Sequence, residues 1–210
     1  MRIASTALIP AGLVVLADVG VTLAWGEPIS ALRAWLAQRE AAEEMERLET
    51  EFDPPGARFD PGRLPRLAER LERRAEPGDA MGRIRIPAID LSRVLVEGTD
   101  TGSLRDGPGH YPDTALPGQG GTVGVAGHRT TYGAPFRRID DIEPGDELVL
   151  EMPYADFVYR FERSRIVDPS RVGVVRNVAH DRLVLTACHP LYSAAQRYVV
   201  FARQVEVRPP

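Results

Sequence analysis

The chain's single cysteine, Cys188, closes the apolar run Leu183-Val184-Leu185-Thr186-Ala187, with His189 and Pro190 directly after it and a second apolar run beyond Arg197. On its own such a thiol is most often a buried structural group, because free cysteine is among the most buried residue types. It becomes a nucleophile only with help, since a free thiol is mostly protonated at neutral pH and a nearby imidazole raises its reactivity. The stretch 122–136, T-V-G-V-A-G-H-R-T-T-Y-G-A-P-F, supplies an imidazole. His128 ends a strand on which Gly124 and Ala126 share its face by period-two alternation, and small residues there leave room for another chain or a ligand. If the strand carrying His128 neighbours the one carrying Cys188, sixty positions later, the two side chains meet. Arg197, nine positions after Cys188, adds a fixed charge and several donors. It suits a thiolate and the oxyanion of a tetrahedral intermediate.

The remaining histidines fit this chemistry less well. His110, in G-P-G-H-Y-P, and His180, in a polar stretch, read as turn or surface residues. His189 points to the opposite face from Cys188 in an extended backbone, which makes it a poor base for that thiol. The same geometry disfavours a metal site built from His128, Cys188 and His189. One cysteine excludes an intrachain disulfide and argues against a thiolate zinc cluster. No metal and no cofactor is implied.

Several short strands must position these groups. Alternation and β-branched runs predict strands over 82–86, 91–96, 122–126, 146–152, 157–167, 182–187 and 198–207, with 104–121 as loop and 136–142 as a short helix or turn. Such spacing within one domain, residues 80–210, indicates a mainly β barrel or sandwich. Ahead of it, residues 27–79 read as a helical stalk and Pro/Gly linker. Ile29, Leu32, Leu36, Met45, Leu48 and Phe52 recur at near-helical spacing, and Leu64, Leu67, Ala68 and Leu71 mark a second helix. Residues 3–25 are apolar apart from small or hydroxyl residues, one proline and Asp18. At ~1.5 Å per residue they reach on the order of 30 Å, so residues 1–26 are expected to form a transmembrane anchor, with Trp25 at the boundary. Of 210 residues 43% are hydrophobic, the net charge is −4, and all 26 basic residues are arginine. No basic stripe argues for nucleic acid.

The T-A-C in a strand, the A-G-H-R-T-T-Y-G-A-P-F block and the downstream Arg197 together resemble the sortases, membrane-anchored cysteine transpeptidases of Gram-positive bacteria. The pattern C-H-P…S-A…Q-R-Y-V-V-F-A, with G-P-G-H-Y-P before the histidine strand, is most similar to class E, known from actinobacteria. The resemblance implies an eight-stranded β-barrel with short helices, a catalytic domain outside the cell membrane, and His128, Cys188 and Arg197 as the catalytic trio. It also implies a substrate, the C-terminal sorting signal of an exported protein, cut at a Thr–Gly bond in an LPxTG- or LAxTG-like motif through a thioester. The acceptor would be the amine of a peptidoglycan precursor or of a pilin. Tyr111, with Tyr132 as its rival, and Thr186 and Ala187 fall in the substrate-binding set. Sortases usually carry Thr directly before the cysteine, where this chain has Ala187; Thr186 should face the other side of the strand. A non-catalytic tethered barrel that binds sorting signals or assembles pili is the alternative, with Ala187 in its favour. The order of Cys and His argues against a papain-like peptidase, and T-A-C-H departs from the motif of L,D-transpeptidases.

Overall fold

The computed structural model describes residue 12, residues 28–53 and residues 58–210. The expected anchor over 1–26 lies outside the described residues. Among the described residues, no helix is long and apolar enough to cross a membrane.

Eight strands close into a barrel: β1 (Ala80–Ile86), β2 (Leu91–Glu97), β3 (Gly109–His110), β4 (Thr122–Gly127), β5 (Glu147–Met152), β6 (Ala155–Val167), β7 (Arg182–His189) and β8 (Gln196–Arg208). Around the barrel they run β1-β2-β3-β4-β7-β8-β6-β5, and β1 pairs with β5 to close it. Closure removes the exposed strand edges that an open sheet would carry. Two pairings are parallel, β2 with β3 and β4 with β7. Alternation along each strand sends one set of side chains inward. On β7 this set is Leu183, Leu185 and Ala187, all in the main core with Ile84, Leu95, Leu148 and Tyr159.

Two helices share that core. Helix α1 (Pro28–Phe52) buries Ala41, Met45, Leu48 and Phe52, a stripe at spacings of four, three and four residues, against the barrel. Helix α2 (Leu64–Glu72) adds Leu64, Ala68 and Leu71. Of segment 27–79, expected as a stalk and linker, residues 41–52 and 64–71 thus pack on the barrel, while Leu32, Trp35 and Leu36 are exposed. Of the expected apolar stripe Met45, Leu48 and Phe52 are buried, whereas Leu32 and Leu36 face solvent, and the partner of the stripe left no mark in the sequence. Gln38 fixes α1 further, because its amide accepts from Val94 N–H at 2.8 Å and donates to Val94 O at 3.0 Å and Asp106 O at 2.9 Å. It thereby satisfies backbone groups that β3, only two residues long, does not reach.

The stretch 104–121 is not all loop. A short helix, α3 (Thr101–Asp106), starts where the Asp100 carboxylate accepts from the Gly102 and Ser103 N–H groups, and β3 follows. His110, expected in a turn or on the surface, is 2% exposed. Its Nδ1 lies 2.9 Å from Glu97 Oε2, across the β2–β3 pairing. A two-residue strand is too short to register as alternation, which is why both were missed.

Candidate active site

β7 is flanked by β4 on one side and β8 on the other, and the registers fix what stands beside Cys188. Cys188 pairs directly with Arg197 across the antiparallel β7–β8 ladder, where paired Cα atoms are about 5 Å apart. On the other side Ala126 pairs with Thr186 and Gly127 with Ala187. His128 follows directly, one residue past the end of that register, at the strand end next to the one that carries Cys188. Paired residues on neighbouring strands share a face. His128, Cys188 and Arg197 therefore form a row across three strand ends on the outer side of the barrel. The sequence put the three in separate runs, and the structure brings them together.

The next rows inward on the same face are Ala126–Thr186–Val199 and Gly124–Val184–Phe201. Gly124 matters because a Cβ there would sit 2.9 Å from Tyr111 Cδ2 and 3.2 Å from Thr114 Cγ2. The space that the small residues leave is thus filled by the segment after β3. Tyr111 reaches Thr186, with their hydroxyls 2.8 Å apart. Thr186 is on the cysteine's face, whereas Ala187 is 3% exposed and belongs to the interior core. Tyr132 is on the other side of His128, with ring centroids 5.2 Å apart. Its backbone is left-handed at φ 51°, followed by Gly133 at 72° and Ala134 at 44°. Two non-glycine residues held there store strain of the kind found at functional loops. The loop is braced from α1 by Ser30, whose hydroxyl accepts from Tyr132 N–H at 3.4 Å.

The charges around the row are uneven. His128 is half-buried, and its Nε2 is buried with no hydrogen-bond partner among the described residues. Desolvation, and secondly the charge of Arg105, hold the His128 imidazole below its ordinary value, which favours the neutral ring. Arg105, on α3, lies with its guanidinium carbon 5.8 Å from the Tyr132 ring. Arg197 donates one nitrogen to Ala194 O and Gln196 O, both at 3.0 Å. Among the described residues it makes no ion pair, so the rest of its fork is open. His189 faces away from Cys188: its Nδ1 accepts from Arg129 at 3.4 Å and its ring is 5.9 Å from Tyr198. His180 is exposed in the loop before β7.

Arg129 and Arg105 were not read from the sequence. Arg129 is 2% exposed, pairs with Asp140 and donates to Arg137 O at 3.2 Å. It ties the ends of β4 and β7 together beneath the row. A signal existed, since alternation puts residue 129 on the face opposite His128, where an arginine needs an acidic partner. Arg105 gave none, because nothing in a Gly/Pro-rich stretch marks it as a neighbour of His128.

Fold and site together define a class: a closed eight-stranded barrel with a cysteine, a histidine and an arginine in one row on its outer face. A family model for the sortase domain matches residues 84–205, and the chain belongs to that family. It is 36% identical over 135 residues to Sortase D of Bacillus subtilis, covering 62% of this chain and 66% of that one. It is 34% identical over 150 residues to Sortase SrtE1 of Streptomyces coelicolor, covering 64% of this chain and 43% of that one. The chain thus spans less than two thirds of the length of these curated relatives. Among solved structures it is similar to Sortase E1 from Streptomyces coelicolor with tripeptide in the active site. There the TM-score is 0.59 at 32% identity, over 64% of this chain and 93% of that one.

Proposed function

We propose that this chain is a cysteine transpeptidase that cleaves the Thr–Gly bond of an LPxTG- or LAxTG-like sorting signal and transfers the acyl part to an amine. The observation that carries the reading is the row His128–Cys188–Arg197 set by the two β7 registers. The Cys188 thiolate attacks the threonine carbonyl carbon, and the carbonyl electrons move to oxygen. The open guanidinium nitrogen of Arg197 stabilises that oxyanion. As the intermediate collapses the C–N bond breaks, and the proton His128 has taken from the thiol passes to the leaving glycine amine. A thioester remains on Cys188. The incoming amine loses a proton to His128, attacks the thioester carbonyl, and releases the thiolate with a new amide.

Thr186, on the same face as Cys188, Tyr111 bonded to it, and Tyr132 beside His128 flank Cys188 on its β4 side, where they would contact the signal at the scissile bond. The identity to Sortase SrtE1 supports class E, and the resemblance of the sequence to that class is what implies an LAxTG-like preference. The 23 largely apolar residues at 3–25 support a single-pass membrane anchor with the barrel outside the cell, acting on exported proteins and on the amine of a peptidoglycan precursor or a pilin. Ala187 faces the core, so the missing hydroxyl removes nothing from the cysteine's face and lends no weight to a non-catalytic barrel.

The test uses the full-length chain in detergent with a fluorogenic L-A-x-T-G peptide and an added amine. Amide product that depends on Cys188 and His128 is expected. Product formed equally well by Cys188→Ala would remove the cysteine mechanism, and membrane association after deletion of residues 1–26 would remove the anchor.

A further inference from the structure

The outer face that carries Cys188 continues past β8 onto β6, and there its character changes. In the β6–β8 register Val167 stands beside Arg197, Arg165 beside Val199 and Arg163 beside Phe201. The segment between β6 and β7 folds back over this surface through a short 3₁₀ turn, Val172–Val175, whose Val174 and Val175 pack on Val184, Val199 and Phe201. Between segment and sheet is an open cleft of about 850 Å³. Five arginines line it: Arg163, Arg165, Arg171, Arg176 and Arg182.

Arg182 is spent on structure, donating to Thr122 Oγ1 at 2.9 Å, Arg176 O at 2.8 Å and Val174 O at 3.2 Å. The other four make no close ion pair among the described residues, although Asp168, whose carboxyl is held below its ordinary value first by hydrogen bonds from Ser170, also feels the charge of Arg171. Arg163 lies 4.8 Å from the Phe201 ring centroid and leaves its donors open. The single carboxylate in the lining, Asp168, is turned to Ser170, accepting from its N–H at 2.9 Å and its hydroxyl at 2.6 Å. A net charge of −4 for the whole chain conceals this local excess. Like charges gathered without partners cost stability, and a matching anion relieves that cost.

Position selects the anion. Arg165 is two strands and two residues from Cys188, about 12 Å at the usual strand spacing and rise. An extended peptide covers that distance in about four residues. In the proposed reaction four signal residues, L-A-x-T, stay on the acyl side of the cut, and laid from Cys188 across β8 towards β6 they carry the residues just before the signal into the cleft. The apolar floor of Phe201, Val167 and Val174 suits a polypeptide whose side chains alternate, rather than a bare polyanion.

We infer that this cleft binds an acidic segment of the substrate protein immediately upstream of its sorting signal. The inference rests on the transpeptidase reading, and its test is separable from it. The full-length chain carrying Cys188→Ala is titrated by fluorescence anisotropy with two labelled peptides, one with three Glu or Asp residues before L-A-x-T-G and one with Ser and Gly there. The acidic peptide is expected to bind about tenfold more tightly at low salt, the yield of two or three exposed charge pairs. That advantage should vanish in about 1 M salt, where the Debye length is about 3 Å. It should collapse in Arg165→Gln/Arg171→Gln, shrink in Arg171→Glu, and survive in the control Arg66→Gln/Arg93→Gln. Equal affinity for the two peptides overturns the inference, even in a chain whose cysteine form acylates normally. Polyphosphate binding at the cleft without any preference among peptides also overturns it. Because no turnover is needed, a failed transpeptidation assay leaves this measurement intact.

Discussion

Replacing Gly127 by alanine tests whether the β4 end holds His128 against Cys188. Gly127 pairs with Ala187 and faces the barrel interior. A Cβ there would sit 2.5 Å from Phe136 Cδ2, 2.7 Å from Cε2 and 3.0 Å from Cγ. Ordinary contact begins near 3.4 Å, so the ring or the strand end must retreat by about 0.9 Å. The ring has nowhere to go, being 0% exposed in the core, and its own N–H donates to His128 O at 2.9 Å. Relief of the clash therefore moves His128. Overpacking of this kind costs about 1–3 kcal/mol, which for a domain this size lowers the midpoint of thermal unfolding by roughly 2–12 °C. A displacement near 1 Å between base and nucleophile costs about 10²-fold in rate. Thermal unfolding and kcat/KM on an L-A-x-T-G peptide read the two effects separately. Gly127→Ala/Phe136→Leu should regain part of the activity, because the smaller side chain yields. A Gly127→Ala protein with unchanged midpoint and kcat/KM within about twofold would refute the reasoning.

Arg197→Gln should lower kcat/KM by about 10²–10³-fold, the range for loss of one oxyanion donor. The melting temperature should scarcely move, since the side chain is only half-buried and makes no ion pair among the described residues; a large stability loss would point to a structural role instead. Arg105→Gln removes one of the two causes that hold His128 below the ordinary value of 6.5. The acid limb of kcat/KM should therefore shift to higher pH, and an unmoved limb would contradict the coupling. The linked stability term has a fixed sign. A histidine depressed in the fold contributes stability above about pH 6.5 that is lost as pH falls through the interval down to its folded value, and Arg105→Gln should shrink that loss in denaturant titrations. Leu48→Ala, 3% exposed on α1, should destabilise the whole barrel by about 2–5 kcal/mol. An unchanged unfolding midpoint would mean that α1 is a detachable stalk after all.

What the sequence showed of the site was its chemistry rather than its assembly. The runs at 122–126 and 182–187 are apolar enough to be recognised as strands, and His128 and Cys188 stand out just past their ends. Their meeting depends on the parallel β4–β7 pairing, which spans sixty residues and leaves no local trace. The same holds for α1, where Met45, Leu48 and Phe52 of the expected stripe mark a buried face without saying what buries it, and Leu32 and Leu36 are exposed. His110 was misjudged for the opposite reason. Its Gly/Pro neighbours suggest a turn, but the β2–β3 pairing carries it inward to Glu97. The arginine cleft escaped notice because its members are scattered over residues 163–182, and only the fold of the β6–β7 segment gathers them.

The central claim, that Cys188 carries the acyl group, has a direct measurement. The full-length chain is mixed with an L-A-x-T-G peptide without added amine, and its intact mass is recorded during turnover. The account predicts an adduct equal to the acyl portion of the peptide, located on Cys188, discharged by hydroxylamine and accompanied by release of the glycine fragment. An unmodified chain while peptide is being cleaved, or the same adduct on Cys188→Ala, would contradict it.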